Sequence, residues 1–294
     1  MTNKEYEHYY VPSQSHWPIV GAVALFMIAF GAGTYVTDRA NEQSGYGGYL
    51  LLAGVALITY MIVGWFSDVI KESHEGKYSG QMDLSFRQGM SWFIFSEVMF
   101  FVAFFGALLY LRVFSIPWLG GAGNNFETGA VLWPEFTAHW PLIKTPGGTE
   151  TTAMGWYGLP LINTILLISS SVTAHFAHSA LIKDNRQHLK AWLSITIILG
   201  LIFLSLQVLE YSHGYSEEMR LFLSSGVYGN TFYLLTGFHG MHVTLGCIML
   251  IVMWFRVLKG HFTPEKHFAF EATSWYWHFV DVVWVILFIF VYIV

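Results

Sequence analysis

Seven stretches of the chain stay apolar for about 20 residues each, separated by polar segments, and this alternation dominates the sequence. They fall at 17–36, 49–66, 90–111, 156–181, 189–211, 231–255 and 273–294. A helix rises about 1.5 Å per residue, so about 20 residues cross the roughly 30 Å hydrocarbon core of a bilayer. Each stretch is therefore predicted to be a spanning helix, and the fold class is all-α, a polytopic membrane protein with seven transmembrane helices. Small residues gather on one face of several spans: Ser96, Ala103 and Ala107 in the third, Ser169, Ser170, Ser171 and Ala174 in the fourth, and Gly237 with Gly240 in the sixth. Such residues let helix backbones approach, so the later spans are expected to pack as one bundle.

The polar connections orient these spans. Ten of the 14 Lys and Arg residues lie on the side of the N-terminus: Lys4, Lys71, Lys77, Arg87, Lys183, Arg186, Lys190, Arg256, Lys259 and Lys266. Arg39, Arg112, Lys144 and Arg220 lie on the other side. The positive-inside rule then places the N-terminus in the cytoplasm and the C-terminus outside. The turn between the first two spans is short, "TDRANEQSGYGG", whereas the third connection is long and external. That loop carries "GGAGNN" and "TPGGTETT", together with Trp118, Trp133 and Trp140, which suit a membrane interface. It is expected to fold over the bundle or over a partner. The organisation predicted is an N-terminal segment with a two-helix bundle at 1–68, and a five-helix bundle at 69–294 bearing the external loop 114–155. The sequence contains no internal repeat of the inverted transporter kind.

Composition agrees with the membrane reading: 54% of the 294 residues are hydrophobic and only 11% charged, against about 25% in a soluble domain. The net charge of -5 is dispersed and no basic cluster exists, which excludes nucleic acid as a partner. Cys247 is the single cysteine, so the chain forms no internal disulfide and contains no Cys-based metal motif. The opening "MTNKEYEHYYVPSQSHWP" lacks the pattern of a cleaved leader, and the N-terminus is expected to be retained.

Against this background Glu97, alone within "SWFIFSEVMFFVAFFGALLY", demands an explanation. An acid in hydrocarbon must be neutral, paired or hydrogen-bonded. Phe93, Phe100, Phe101 and Phe104 surround it on the helix and favour the protonated acid, donating to a neighbouring helix or a lipid. Two histidine pairs, His175 with His178 and His239 with His242, sit three residues apart on helix faces. That spacing allows metal or haem ligation, but matching partners are missing, and the pairs are read as hydrogen-bonding residues that join helices. Glu210 and His213 repeat a Glu-x-x-His spacing once only, at a span end. His278 and Asp281, three apart on the last span, are expected to satisfy each other, and Glu271 to cap that helix through its dipole. At the cytoplasmic ends of the second and sixth spans, Trp65, Lys71, Arg256, Lys259 and His261 suit an anionic phospholipid headgroup and suit plain interfacial anchoring equally well.

The blocks "WPIVGA", "DVIKES", "FIFSEVMFF", "LINTILL", "GVYGNTFYLLTGFHGMHV" and "FEATSWYWHFVDVVW", in this order along nearly the whole chain, closely resemble subunit III of haem-copper cytochrome c oxidase. The resemblance implies a two-helix part and a five-helix part around a V-shaped, lipid-filled cleft. It implies direct packing against oxidase subunit I, with subunit II and cytochrome c reached through the complex. It implies no catalytic residue, cofactor or metal in this chain, haem and copper residing in the partner subunits. Glu97 matches the family's intramembrane acid, known for reactivity with hydrophobic carbodiimide. Trp65, Lys71, Arg256 and His261 match positions associated with phospholipid headgroups, with Lys71 standing where arginine is common and offering a point charge in place of a planar fork.

The long loop departs from mitochondrial relatives and points to a bacterial inner (plasma) membrane, with the C-terminus periplasmic. The function implied is that of an accessory subunit of a proton-pumping terminal oxidase, stabilising subunit I, supporting proton uptake and holding phospholipid. A stand-alone proton-coupled transporter or channel, using Glu97, Glu210 and Asp281, is the alternative from another class. A cytochrome with haem on its histidine pairs is a third.

Overall fold

A computed structural model describes residues 10–294; Lys4 and the rest of the polar N-terminal stretch 1–9 lie outside the described residues. Seven helices are long and apolar enough to cross a membrane, as predicted, and no strand is present among the described residues. The helices outrun the apolar stretches, because backbone hydrogen bonds continue a helix after its side chains turn polar. The chain divides into two compact units, Met1–Phe86 and Arg87–Val294.

The first unit is built on α1 (Trp17–Ala40) and α2 (Gly47–His74). Pro18 stands in the first turn of α1, where its fixed φ suits a helix start and its missing N–H costs nothing. The two helices meet through glycine. A Cβ at Gly31 would fall 2.5 Å from the Leu51 backbone nitrogen, and one at Gly54 would fall 2.8 Å from the backbone nitrogen of Ile28. At one end the pair is tied by polar contacts. Trp17 Nε1–H donates to Asp68 Oδ2 at 2.8 Å, and the hydroxyls of Tyr10 and Tyr78 donate to the two oxygens of Glu72 at 3.0 and 2.8 Å. Lys77 pairs with Glu75 at 2.5 Å.

Helix α3 (Gly80–Tyr110) runs on through a π-helical turn, Leu111–Ser115, into the single turn α4 (Ile116–Leu119). Within the second unit follow α5 (Leu159–Ile182), α6 (Arg186–Gly214), α7 (Val227–Leu258) and α8 (Phe268–Leu287), the last extended by a π-helical stretch, Phe288–Ile293. Asn185 caps α6, its Oδ1 accepting from the His188 N–H at 3.2 Å.

Helix α8 is the centre of this unit, and its Trp277 and Trp284 are fully buried. Trp277 Nε1–H donates to Ser170 Oγ and Trp284 Nε1–H to Thr164 Oγ1, both on α5 at 3.0 Å. The long loop folds back onto the bundle. Leu142 is buried, Trp140 meets Tyr228 edge to face at 5.7 Å, and the Met154 N–H donates to Tyr228 Oη at 3.0 Å.

Candidate functional site: an intramembrane acid and its histidine

Glu97 does not stand alone. Its Oε2 lies 2.9 Å from Nε2 of His242 on α7, with the imidazole buried and the carboxyl about one quarter exposed. The other ring nitrogen, Nδ1, is 2.6 Å from the carbonyl of Phe238. A carbonyl only accepts, so Nδ1 carries a proton and donates it. One proton then remains to be shared between Glu97 Oε2 and His242 Nε2. The pair is either a neutral acid donating to a neutral imidazole or a carboxylate accepting from an imidazolium. Phe100 and Phe101 flank the imidazole with ring centroids 5.8 and 5.0 Å away, and Tyr276 lies at 6.4 Å. This hydrocarbon wall keeps water from competing for the shared proton.

His239, one turn earlier on α7, is fully buried and donates from Nε2 to the Val280 carbonyl of α8 at 3.2 Å. Its ring lies against Trp284, centroids 5.0 Å apart. On α8, His278 Nδ1 lies 2.6 Å from Ser171 Oγ of α5 and 4.0 Å from Asp281 Oδ2, so the serine hydroxyl is the closer partner. A fully buried acid, Glu210 of α6, accepts from Tyr292 Oη at 2.8 Å and from Gln207 Nε2 at 3.2 Å. Glu97, His239, His278 and Glu210 are thus each met by a group on another element of the second unit.

The family profile described as cytochrome c oxidase subunit III matches residues 7–294. The chain is 36% identical to cytochrome c oxidase subunit 3 of Squalus acanthias over 285 residues, 97% of this chain and 96% of the relative. It is 38% identical to the subunit 3 of Antilope cervicapra and 37% identical to that of Damaliscus lunatus, over the same shares. The chain belongs to the cytochrome c oxidase subunit III family. As a member of that family it is a multi-pass membrane subunit of a respiratory oxidoreductase.

Of the residues assigned to phospholipid, Trp65 and Lys71 belong to α2 in the first unit. Trp65 is half exposed. Arg256 and His261 belong to the second, and the Arg256 guanidinium lies 4.4 Å over the Phe262 ring. Sequence reasoning missed the partner of Glu271. Besides sitting in the first turn of α8, that carboxylate takes Arg87 Nη1 of α3 at 2.6 Å. It also missed the two indole-to-hydroxyl ties of α8, whose only trace in the sequence is the recurrence of Trp at 277 and 284 facing a span rich in Ser and Thr.

Proposed function

We propose that this chain is the accessory, redox-inactive third subunit of a proton-pumping cytochrome c oxidase, packing directly against the catalytic subunit and bracing it during turnover. The observation that carries this reading is the saturation of His242. Both its nitrogens are engaged by protein atoms, Phe238 O and Glu97 Oε2, so neither is open to iron or copper. His239 is committed at Nε2 only, its Nδ1 being buried without a hydrogen-bond partner among the described residues, and its ring is walled by Trp284 and Phe203. The α7 histidines therefore act as helix joints. Trp65, Lys71, Arg256 and His261 hold phospholipid headgroups and help brace the complex. The cytoplasmic side supports proton uptake. The membrane is a bacterial plasma membrane with the N-terminus cytoplasmic, a reading supported by the Lys/Arg excess on that side.

The test is affinity purification of the tagged chain in mild detergent, followed by protein identification and an absorbance spectrum. Haem-bearing oxidase subunits copurify with it, and the chain expressed alone gives no Soret band. A Soret band from the chain alone, lost on His239→Ala, overturns the redox-inactive reading. Proton transport by the chain alone in liposomes supports the carrier reading instead.

A further inference from the structure

His178, His267 and Glu271 come from different turns of the chain, yet the structure brings their ligand atoms within 4.8 Å of one another. His178 lies on the last turns of α5, His267 is the N-cap of α8 and Glu271 is in that helix's first turn. We infer that these three side chains form a binding site for a divalent transition cation of the Zn2+ class, two imidazole nitrogens and one carboxylate oxygen with a fourth position for water.

Three observations carry this, independently of the proposed function. His178 Nε2 is buried and has no hydrogen-bond partner among the described residues, which is costly unless something absent from the polypeptide completes it. His267 Nδ1 lies 3.2 Å from the Thr263 carbonyl, which only accepts, so Nδ1 holds the proton and Nε2 keeps its lone pair for a ligand. A backbone carbonyl fixing one ring nitrogen so that the other can coordinate is the usual arrangement around metal-bound histidine. The third observation is the donor set itself, since two imidazoles and a carboxylate suit zinc and leave one open coordination position.

A tetrahedral ion with bonds of about 2.0–2.1 Å sets its donors about 3.4 Å apart, so the three groups close by about an ångström on binding. Arg87 enters the equilibrium, because its guanidinium already holds Glu271 Oε2 at 2.6 Å and repels an incoming cation. The histidine pair His175 and His178, read from the sequence as one motif, is thus divided, with His178 serving a partner set on another helix.

The intact oxidase complex is dialysed against Zn2+ at micromolar concentrations, and bound zinc is measured by elemental analysis. The expected result is one Zn2+ per chain that is lost, or weakened at least tenfold, in His267→Ala and in Glu271→Gln. Arg87→Gln tightens it, and His188→Ala, outside the site, leaves it unchanged. Copurification of the partner subunits checks that each variant assembles. If the variants do not assemble, the zinc K-edge spectrum of the unaltered complex decides, with two imidazole nitrogens and one oxygen in the coordination shell expected. Zinc binding unchanged in both His267→Ala and Glu271→Gln, an edge spectrum without that shell, or no binding at all, overturns the site.

Discussion

Each of the two units coheres internally by a different means. In the spanning window of α8, 61% of residues are buried inside the protein, whereas in that of α2 only 6% are. The second unit coheres through bulky side chains and polar ties set deep between helices. The first coheres through missing side chains, its glycines allowing backbone to touch backbone, and the polar ties described above lie at one end. Lipid tails are as apolar as leucine, so burying an aliphatic residue gains little inside a bilayer. What remains is close packing and hydrogen bonding, and each unit relies more heavily on one of them.

The sharpest way to break the contrast is to remove a large side chain from the second unit. Trp284→Ala takes away a fully buried ring and the N–H that satisfies Thr164, and is expected to destabilise by about 3–5 kcal/mol. Thermal inactivation of the complex reads the effect, and an unchanged midpoint would show that the indole is not a keystone. In the first unit the complementary experiment adds atoms. Gly31→Val drives a branched side chain into the Leu51 backbone and costs about 1–3 kcal/mol, whereas Gly33→Ala, with nothing within 4 Å of its added methyl, leaves stability unaltered. Protease sensitivity of the loop at 41–46 separates the two. Equal behaviour of both variants would refute the backbone-contact account.

A smaller effect is expected at the shared proton. Glu97→Gln can still donate to His242 Nε2, so assembly, oxygen reduction and pumping persist with a change of about 0.6 kcal/mol in stability, while labelling by a hydrophobic carbodiimide at this position disappears. Normal assembly with pumping abolished would make Glu97 a working proton carrier.

The smallest effect concerns the end tie of the first unit. Partial burial and the Glu72 carboxylate together raise the Tyr78 phenol above its usual value near 10. A raised value means that the neutral hydroxyl is favoured in the folded protein. Its contribution is whole below about pH 10 and fades as pH climbs through the folded value. Alkaline titration followed by hydrogen exchange at 68–78 should loosen this end before the rest, and Tyr78→Phe should remove that pH dependence. Loosening that is identical with and without the hydroxyl would assign it elsewhere.

The sequence disclosed what depends on local chemistry. All seven spans followed from apolar run length, and Glu97 stood out because one carboxylate in a run of phenylalanine has to be accounted for. What it concealed depends on which helix faces which. His242 lies 145 residues from Glu97, and nothing along the chain joins them. Glu271 had an adequate local explanation in the dipole of α8, which hid its contact with Arg87, 184 residues away. Helix ends were misplaced for a different reason. Asp68, Lys71 and Glu72 are too polar for a hydrocarbon core, yet α2 carries them on as helix as far as His74.

The two indole ties between α8 and α5 have a mechanical consequence. A helix pinned to its neighbour at one point is free to pivot or to ratchet by a turn. Trp277 and Trp284 are seven residues apart, about 10 Å along the axis, and each is keyed to a separate hydroxyl. Two keys on one shaft block both sliding and rotation, because either motion breaks both bonds at once. Any displacement imposed at one end of α8 must therefore carry α5 with it as a single rigid lever.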